Sequence, residues 1–177
     1  MIFRETKLGG AFVVEPLRHE DERGFFARSW SAREFAERGL DPALVECNIS
    51  FNRRAGTLRG MHYQAAPHAQ AKLVRCTRGA VYDAIIDLRP ESPTFKGWVG
   101  VELSAENAAM LYVPEGFAHG FQTLTDDAEV FYQMAAYYEA ASGRGVRWDD
   151  PAFGVEWPEA RERIINARDR DYPDFTS

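Results

Sequence analysis

Apolar and polar positions alternate over short stretches of this chain, and Gly or Pro interrupts them at frequent intervals. Period-two alternation bounded by such residues marks strands. The clearest runs over 80–88, Ala-Val-Tyr-Asp-Ala-Ile-Ile-Asp-Leu, with Pro90-Glu-Ser-Pro93 as the turn behind it. The pattern predicts further strands over 10–15, 24–30, 46–51, 72–77, 97–103, 109–113, 120–124 and 128–138. Helical periodicity is scarce. One helix is marked by Ser31 as its cap, Glu34 at the capping-box position and Gly39 as its stop. Pro158 predicts a second short helix behind it. Many strands with no helical patterns between them argue against a parallel α/β sheet. They predict an all-β protein, a sandwich or barrel of the jelly-roll kind.

Within this pattern the segment Leu58-Arg-Gly-Met-His-Tyr-Gln64 carries the first candidate chemistry. In a flat strand 58, 60, 62 and 64 share one face, and 59, 61 and 63 the other. Gly60 leaves room beside His62, so something other than a side chain is expected there. A histidine at such an edge is a candidate base near neutral pH. His119, in Pro114-Glu-Gly-Phe-Ala-His-Gly-Phe121, enters a strand through a tight glycine-bounded turn. Either histidine alone reads more readily as a satisfied structural residue. A glycine within two residues of each, with Arg59 and Lys72 close in sequence, tips the pair toward function. Three other residues read blandly by themselves. Tyr132 is a strand aromatic, Lys72 a snorkelling lysine at a strand start, and Asp169 one charge in a solvated cluster.

Composition narrows the classes. A net charge of −6 argues against a nucleic-acid surface but leaves room for a small anion held by local arginines. Arginine outnumbers lysine 18 to 3, a bias suited to bidentate phosphate recognition. The chain of 177 residues predicts one domain over 1–177. Cys47 and Cys76 form no CxxC pair and are expected to stay reduced. The start has no apolar run behind a basic head, and no stretch has membrane-spanning length. A cytoplasmic protein that engages neither nucleic acid nor membrane is expected.

The motifs DERGFF at 21–26, LRGMHYQ at 58–64, AKLVRC at 71–76, ESPTF at 91–95, LSAEN at 103–107, PEGFAHGF at 114–121 and WDDPAFGVEWP at 148–158 occur in order over nearly the whole chain. On these motifs the chain resembles the dTDP-4-dehydrorhamnose 3,5-epimerases. The resemblance implies a cupin-type jelly-roll β-sandwich with a few short peripheral helices, and a homodimer that exchanges strands. It implies no metal and no organic cofactor. It makes His62 the base beside the ketone of a nucleotide-diphospho-sugar, Asp169 its orienting partner, Tyr132 the acid on the opposite face and Lys72 the enolate's cation, assisted by His119. Arg59 and Asn48 would bind diphosphate and sugar, and Tyr137 the base. Arg23 and Phe26 would reach into the partner's site.

Five positions depart from the family pattern. Arg28 stands for a glutamate, Glu46 for a glutamine, Gly143 for a glutamate, Arg168 for a lysine and Gln133 for a lysine. The resemblance puts them near the nucleotide end, with Arg28, Glu46 and Arg168 as substrate contacts. Three alternatives compete. A metal-dependent cupin would use Pro114-x-Gly-x-x-His119, but Tyr63-Gln64 follows His62 where a second histidine is needed. A non-catalytic sugar-nucleotide-binding module would not need Tyr132 and Asp169. A single-carbon epimerase would share the scaffold.

Overall fold

A computed structural model describes residues 1–176. Thirteen strands are present: β1 (Ile2–Glu5), β2 (Phe12–Glu15), β3 (Arg18–Asp21), β4 (Gly24–Ala27), β5 (Glu46–Asn52), β6 (Leu58–Gln64), β7 (Lys72–Arg78), β8 (Ala80–Asp87), β9 (Trp98–Ser104), β10 (Met110–Val113), β11 (Phe117–Thr123), β12 (Ala128–Met134) and β13 (Gly143–Gly145). Among the described residues helices are confined to α1 (Ala32–Ala36), α2 (Ala167–Arg170) and a 3₁₀ turn over Ala140–Ser142. A six-stranded sheet runs β1-β2-β10-β7-β12-β5 and faces a five-stranded sheet, β13-β6-β11-β8-β9. The architecture is the cupin-type jelly roll. Among the described residues no helix is long and apolar enough to cross a membrane.

Alternation explains the layers. Val74 and Cys76 on β7, Val130 on β12, Val81 and Ile85 on β8 and Phe117 and Phe121 on β11 meet between the sheets. The middle of the larger sheet's outer face is covered. Leu73, Met110 and Tyr112 pack under Phe35 of α1. This helix starts as the sequence predicts, since the Ser31 hydroxyl accepts from the Glu34 N–H. The outer face of the smaller sheet, with Met61, Ala84, Ile86 and Ala118, is covered by the C-terminal segment through Val146 and Phe153.

The predicted second helix behind Pro158 does not form. Those residues spend their polar groups on the sheet instead. The Ile164 N–H donates to the Gly56 carbonyl and its own carbonyl accepts from the Leu58 N–H. The Pro158 carbonyl accepts from Gln122 and Arg163 side chains. The helix that does form is α2, capped by Asn166, whose Oδ1 accepts from the Asp169 N–H at 2.7 Å. Two predicted strands are shorter than expected, ending at Ala27 and Met134, and β1, β3 and β13 carry too little apolar pattern to be foreseen.

Candidate active site

One end of the space between the sheets opens into a cleft. Its inner compartment, about 170 Å³, is lined by Ser50, Arg59, His119 and Asp169, and its outer compartment, about 190 Å³, by Asn48, Gln70, Tyr138 and Arg168. His62, Lys72 and Tyr132 line both and join them into one cleft. Together the compartments reach the size of small-molecule sites.

The glycine at position 60 organises this wall differently from the flat strand predicted by alternation. His119 pairs with His62 and Phe121 with Arg59, so one residue of β11, Gly120, faces two of β6, Gly60 and Met61, a bulge at Gly60. The extra residue slips the alternation. Arg59 and His62 then both face the cleft while Met61 is fully buried in the outer cluster. The room expected beside His62 is not open either. A Cβ on Gly60 would lie 2.5 Å from the Gly120 Cα, and its φ of 124° belongs to glycine. The missing side chain lets the two strands' backbones meet.

His62 and Asp169, 107 residues apart, lie 2.8 Å apart between Nε2 and Oδ1. The second carboxylate oxygen of Asp169 accepts from the Gly60 N–H at 3.1 Å. Asp169 is buried, and burial pushes its pKa up. The His62 hydrogen bond and the Gly60 N–H outweigh that and leave it below the usual carboxylate range. An ionised Asp169 holds the proton of His62 on Nε2, so the Nδ1 lone pair is the one free to act as a base.

The opposite wall comes from the six-stranded sheet. Lys72 opens β7 and its ammonium lies 3.4 Å from the His62 carbonyl. Burial lowers its pKa to about 8, against a smaller upward pull from Asp83. Tyr132, on β12, is opposite Asn48 on β5. Burial raises its phenol pKa, with smaller opposing contributions from Arg59 and Asn48, so the hydroxyl is protonated at neutral pH. Behind Lys72, His119 Nε2 lies 3.0 Å from both oxygens of Asp83, a carboxylate fully buried on β8.

Of the residues singled out from the sequence, His62, Lys72, Tyr132, Asp169, Asn48, Arg59, His119 and Arg168 converge on the cleft. Five do not line it. Glu46 accepts from the Tyr138 N–H at 2.9 Å and so acts on the segment that closes the outer compartment. Tyr137 is largely exposed, and its carbonyl accepts from Gln64. Arg28 pairs with Glu34. Arg23 and Phe26 sit on the hairpin β3–β4, which pairs only with itself and leaves Phe26 75% exposed. Sequence reasoning missed Asp83, Ser50, Asn52 and Arg144. Asp83 had a signal, a carboxylate at a core-facing position of the most apolar strand. Among the described residues no three His, Cys, Asp or Glu side chains converge as a metal site.

The family model for dTDP-4-dehydrorhamnose 3,5-epimerase matches residues 5–177. The dTDP-4-dehydrorhamnose 3,5-epimerase of Salmonella typhimurium is 44% identical over 174 residues, covering 98% of this chain and 94% of that protein. The crystal structure of the enzyme from Elizabethkingia anophelis superposes with a TM-score of 0.96 at 40% identity, over 99% of this chain and 96% of the other. That from Bacillus anthracis, with TDP and PPi bound, superposes with a TM-score of 0.93 at 41% identity, over 98% and 99%. With this likeness running through the whole described fold, the chain belongs to the dTDP-4-dehydrorhamnose 3,5-epimerase family.

Proposed function

We propose that this protein converts dTDP-4-dehydro-6-deoxy-D-glucose to dTDP-4-dehydro-L-rhamnose by inverting the two carbons that flank the ketone. The observation that carries this reading is the origin of the reactive groups. The base His62 projects from one sheet, and Lys72 and Tyr132 project from the other. A sugar ring between the sheets meets a base on one face and a proton donor on the other, which is what inversion requires.

His62 Nδ1 removes the proton beside the ketone, and the bonding pair moves onto the carbonyl oxygen. The Lys72 ammonium stabilises that oxygen where charge develops. Asp169 stabilises the imidazolium that forms. The Tyr132 hydroxyl then protonates the carbon from the opposite face. Arg59 and Asn48 hold the diphosphate and sugar, and Arg168 lines the outer, nucleotide end.

The same reading extends to the assembly. A lone two-stranded hairpin is marginal in water, and β3–β4 exposes Phe25 and Phe26. Ile49 and Phe51 expose a second apolar strip on the outer face of edge strand β5. A homodimer whose hairpin arm crosses to the partner covers such surfaces and brings Arg23 and Phe26 to the other subunit's cleft.

Proton NMR in deuterated water, with dTDP-, CDP- and GDP-linked 4-keto-6-deoxy sugars, tests the reaction. The expected result is deuterium at both flanking carbons of the dTDP sugar, and a fall of roughly 10³-fold in the His62→Ala variant. Exchange at one carbon alone would make this a single-carbon epimerase, and normal exchange in His62→Ala would sink the base assignment.

A further inference from the structure

We propose that Asn52 is a positioning residue for the diphosphate: it locks Arg59 so that the free end of the guanidinium faces the cleft. This rests on the reading above that Arg59 binds the diphosphate.

Asn52 ends β5 and is buried, with 2% of its surface exposed. Its Nδ2 donates to the Ser50 carbonyl at 3.0 Å and to the Ala128 carbonyl at 3.2 Å. Both amide hydrogens are therefore spent on backbone, and the amide cannot turn over without leaving two carbonyls facing its oxygen. That fixes Oδ1 toward Arg59, whose Nε donates to it at 2.7 Å. Arg59 itself is exposed at the cleft. A long exposed side chain samples many rotamers, and ordering it on binding costs affinity. Asn52 imposes that order beforehand. With Nε occupied, the two terminal nitrogens form the free edge, and among the described residues neither has a protein hydrogen-bond partner. An end-on pair of N–H groups matches two oxygens of a phosphate. The acceptor is also uncharged. A carboxylate in its place would hold the Nε but offset the charge that a diphosphate needs.

The alternative is that Asn52 only fastens β5 to β12, and a double-substitution cycle separates the two. The probe is dTDP, titrated by calorimetry into the wild type, Asn52→Ala, Arg59→Ala, Arg59→Lys and the Asn52→Ala/Arg59→Lys double variant, with KM and kcat read alongside. The expected result is roughly tenfold weaker dTDP binding in Asn52→Ala, little further loss when it is added to Arg59→Lys, and KM rising more than kcat falls. A lysine has no Nε for Asn52 to hold. Equal weakening in both backgrounds would overturn the proposal, as would unchanged binding in Asn52→Ala while Arg59→Lys binds poorly. Unchanged binding in Arg59→Ala would instead remove the diphosphate role of Arg59, and the proposal with it. If Asn52→Ala unfolds at assay temperature, Asn52→Ser, polar but too short to reach the Nε, is read in its place.

Discussion

At the scale of single residues, the Asp169 carboxylate uses both oxygens as acceptors, one from His62 and one from the Gly60 N–H. An asparagine there has only one acceptor. Either the Gly60 N–H is left facing an amide hydrogen, or His62 switches tautomer and moves its proton onto Nδ1, where the proposed mechanism needs a lone pair. Asp169→Asn is therefore expected to fold and to lose roughly 10⁴-fold in kcat, on the scale of other enzymes in which the wrong tautomer is imposed. Steady-state kinetics with circular dichroism checks both halves. Lys72 gives a pH signature. Its pKa is lowered by burial to about 8, so the ammonium loses its proton as pH rises through that value. Turnover should fall on the alkaline side with an apparent pKa near 8. In Lys72→Gln that limb should vanish and the remaining rate should be roughly 10²-fold to 10³-fold lower. An unchanged alkaline limb in the variant would move the role to another group.

At the scale of elements, the turn after β8 shows how a polar cluster ends a strand. Asp87 is fully buried, yet Arg89 donates to it through Nε and Nη2, and the Ser92 and Thr94 hydroxyls also donate. Burial pushes the Asp87 pKa up, but these hydrogen bonds jointly outweigh it and hold it at about 2. The folded value lies below the unfolded one. The carboxylate's contribution is therefore complete above the unfolded pKa of about 3.9 and is lost as pH falls toward 2. Asp87→Ala strands Arg89 and two hydroxyls and should cost roughly 3 kcal/mol in denaturant unfolding at pH 7. The gap between the variant and the wild type should narrow in acid. The sequence showed this turn through its prolines but not its anchor, because a buried aspartate at a strand end looks like any turn aspartate until the folded surroundings are known. The absent helix behind Pro158 has a similar cause. Proline permits a helix start, but Ile164 is drawn into backbone bonds with Gly56 and Leu58, which are more than a hundred positions earlier.

At the scale of the whole molecule, the exposed arm makes the assembly testable. If Arg23 and Phe26 serve the partner's cleft, a dimer of one Arg23→Ala/Phe26→Ala subunit and one His62→Ala subunit contains one intact cleft. Mixing and refolding the two inactive variants should restore activity to a substantial fraction of wild type, measured against each variant refolded alone. No recovery would put the arm's contribution in its own subunit or outside the site. Sedimentation should also report a dimer, with Phe26→Asp shifting it toward monomer as its exposed face is made polar.

Much of this protein was legible without coordinates. Period-two alternation located nine strands and the jelly-roll class, Ser31 and Glu34 located α1, and the family resemblance pointed to eight residues that line the cleft and five that do not. What lies between residues far apart was not legible. The bulge that turns Arg59 and His62 to the same side needs β11 against β6. The hold of Asn52 on Arg59, and of Asp83 on His119, needs partners on other strands. The pairing of His62 with Asp169 spans 107 residues. Chain pattern selects the face each side chain takes within its own strand. Only the closure of one sheet over the other selects what that face meets, and so sets the burial that tunes Lys72 and the opposition of His62 and Tyr132 across the cleft.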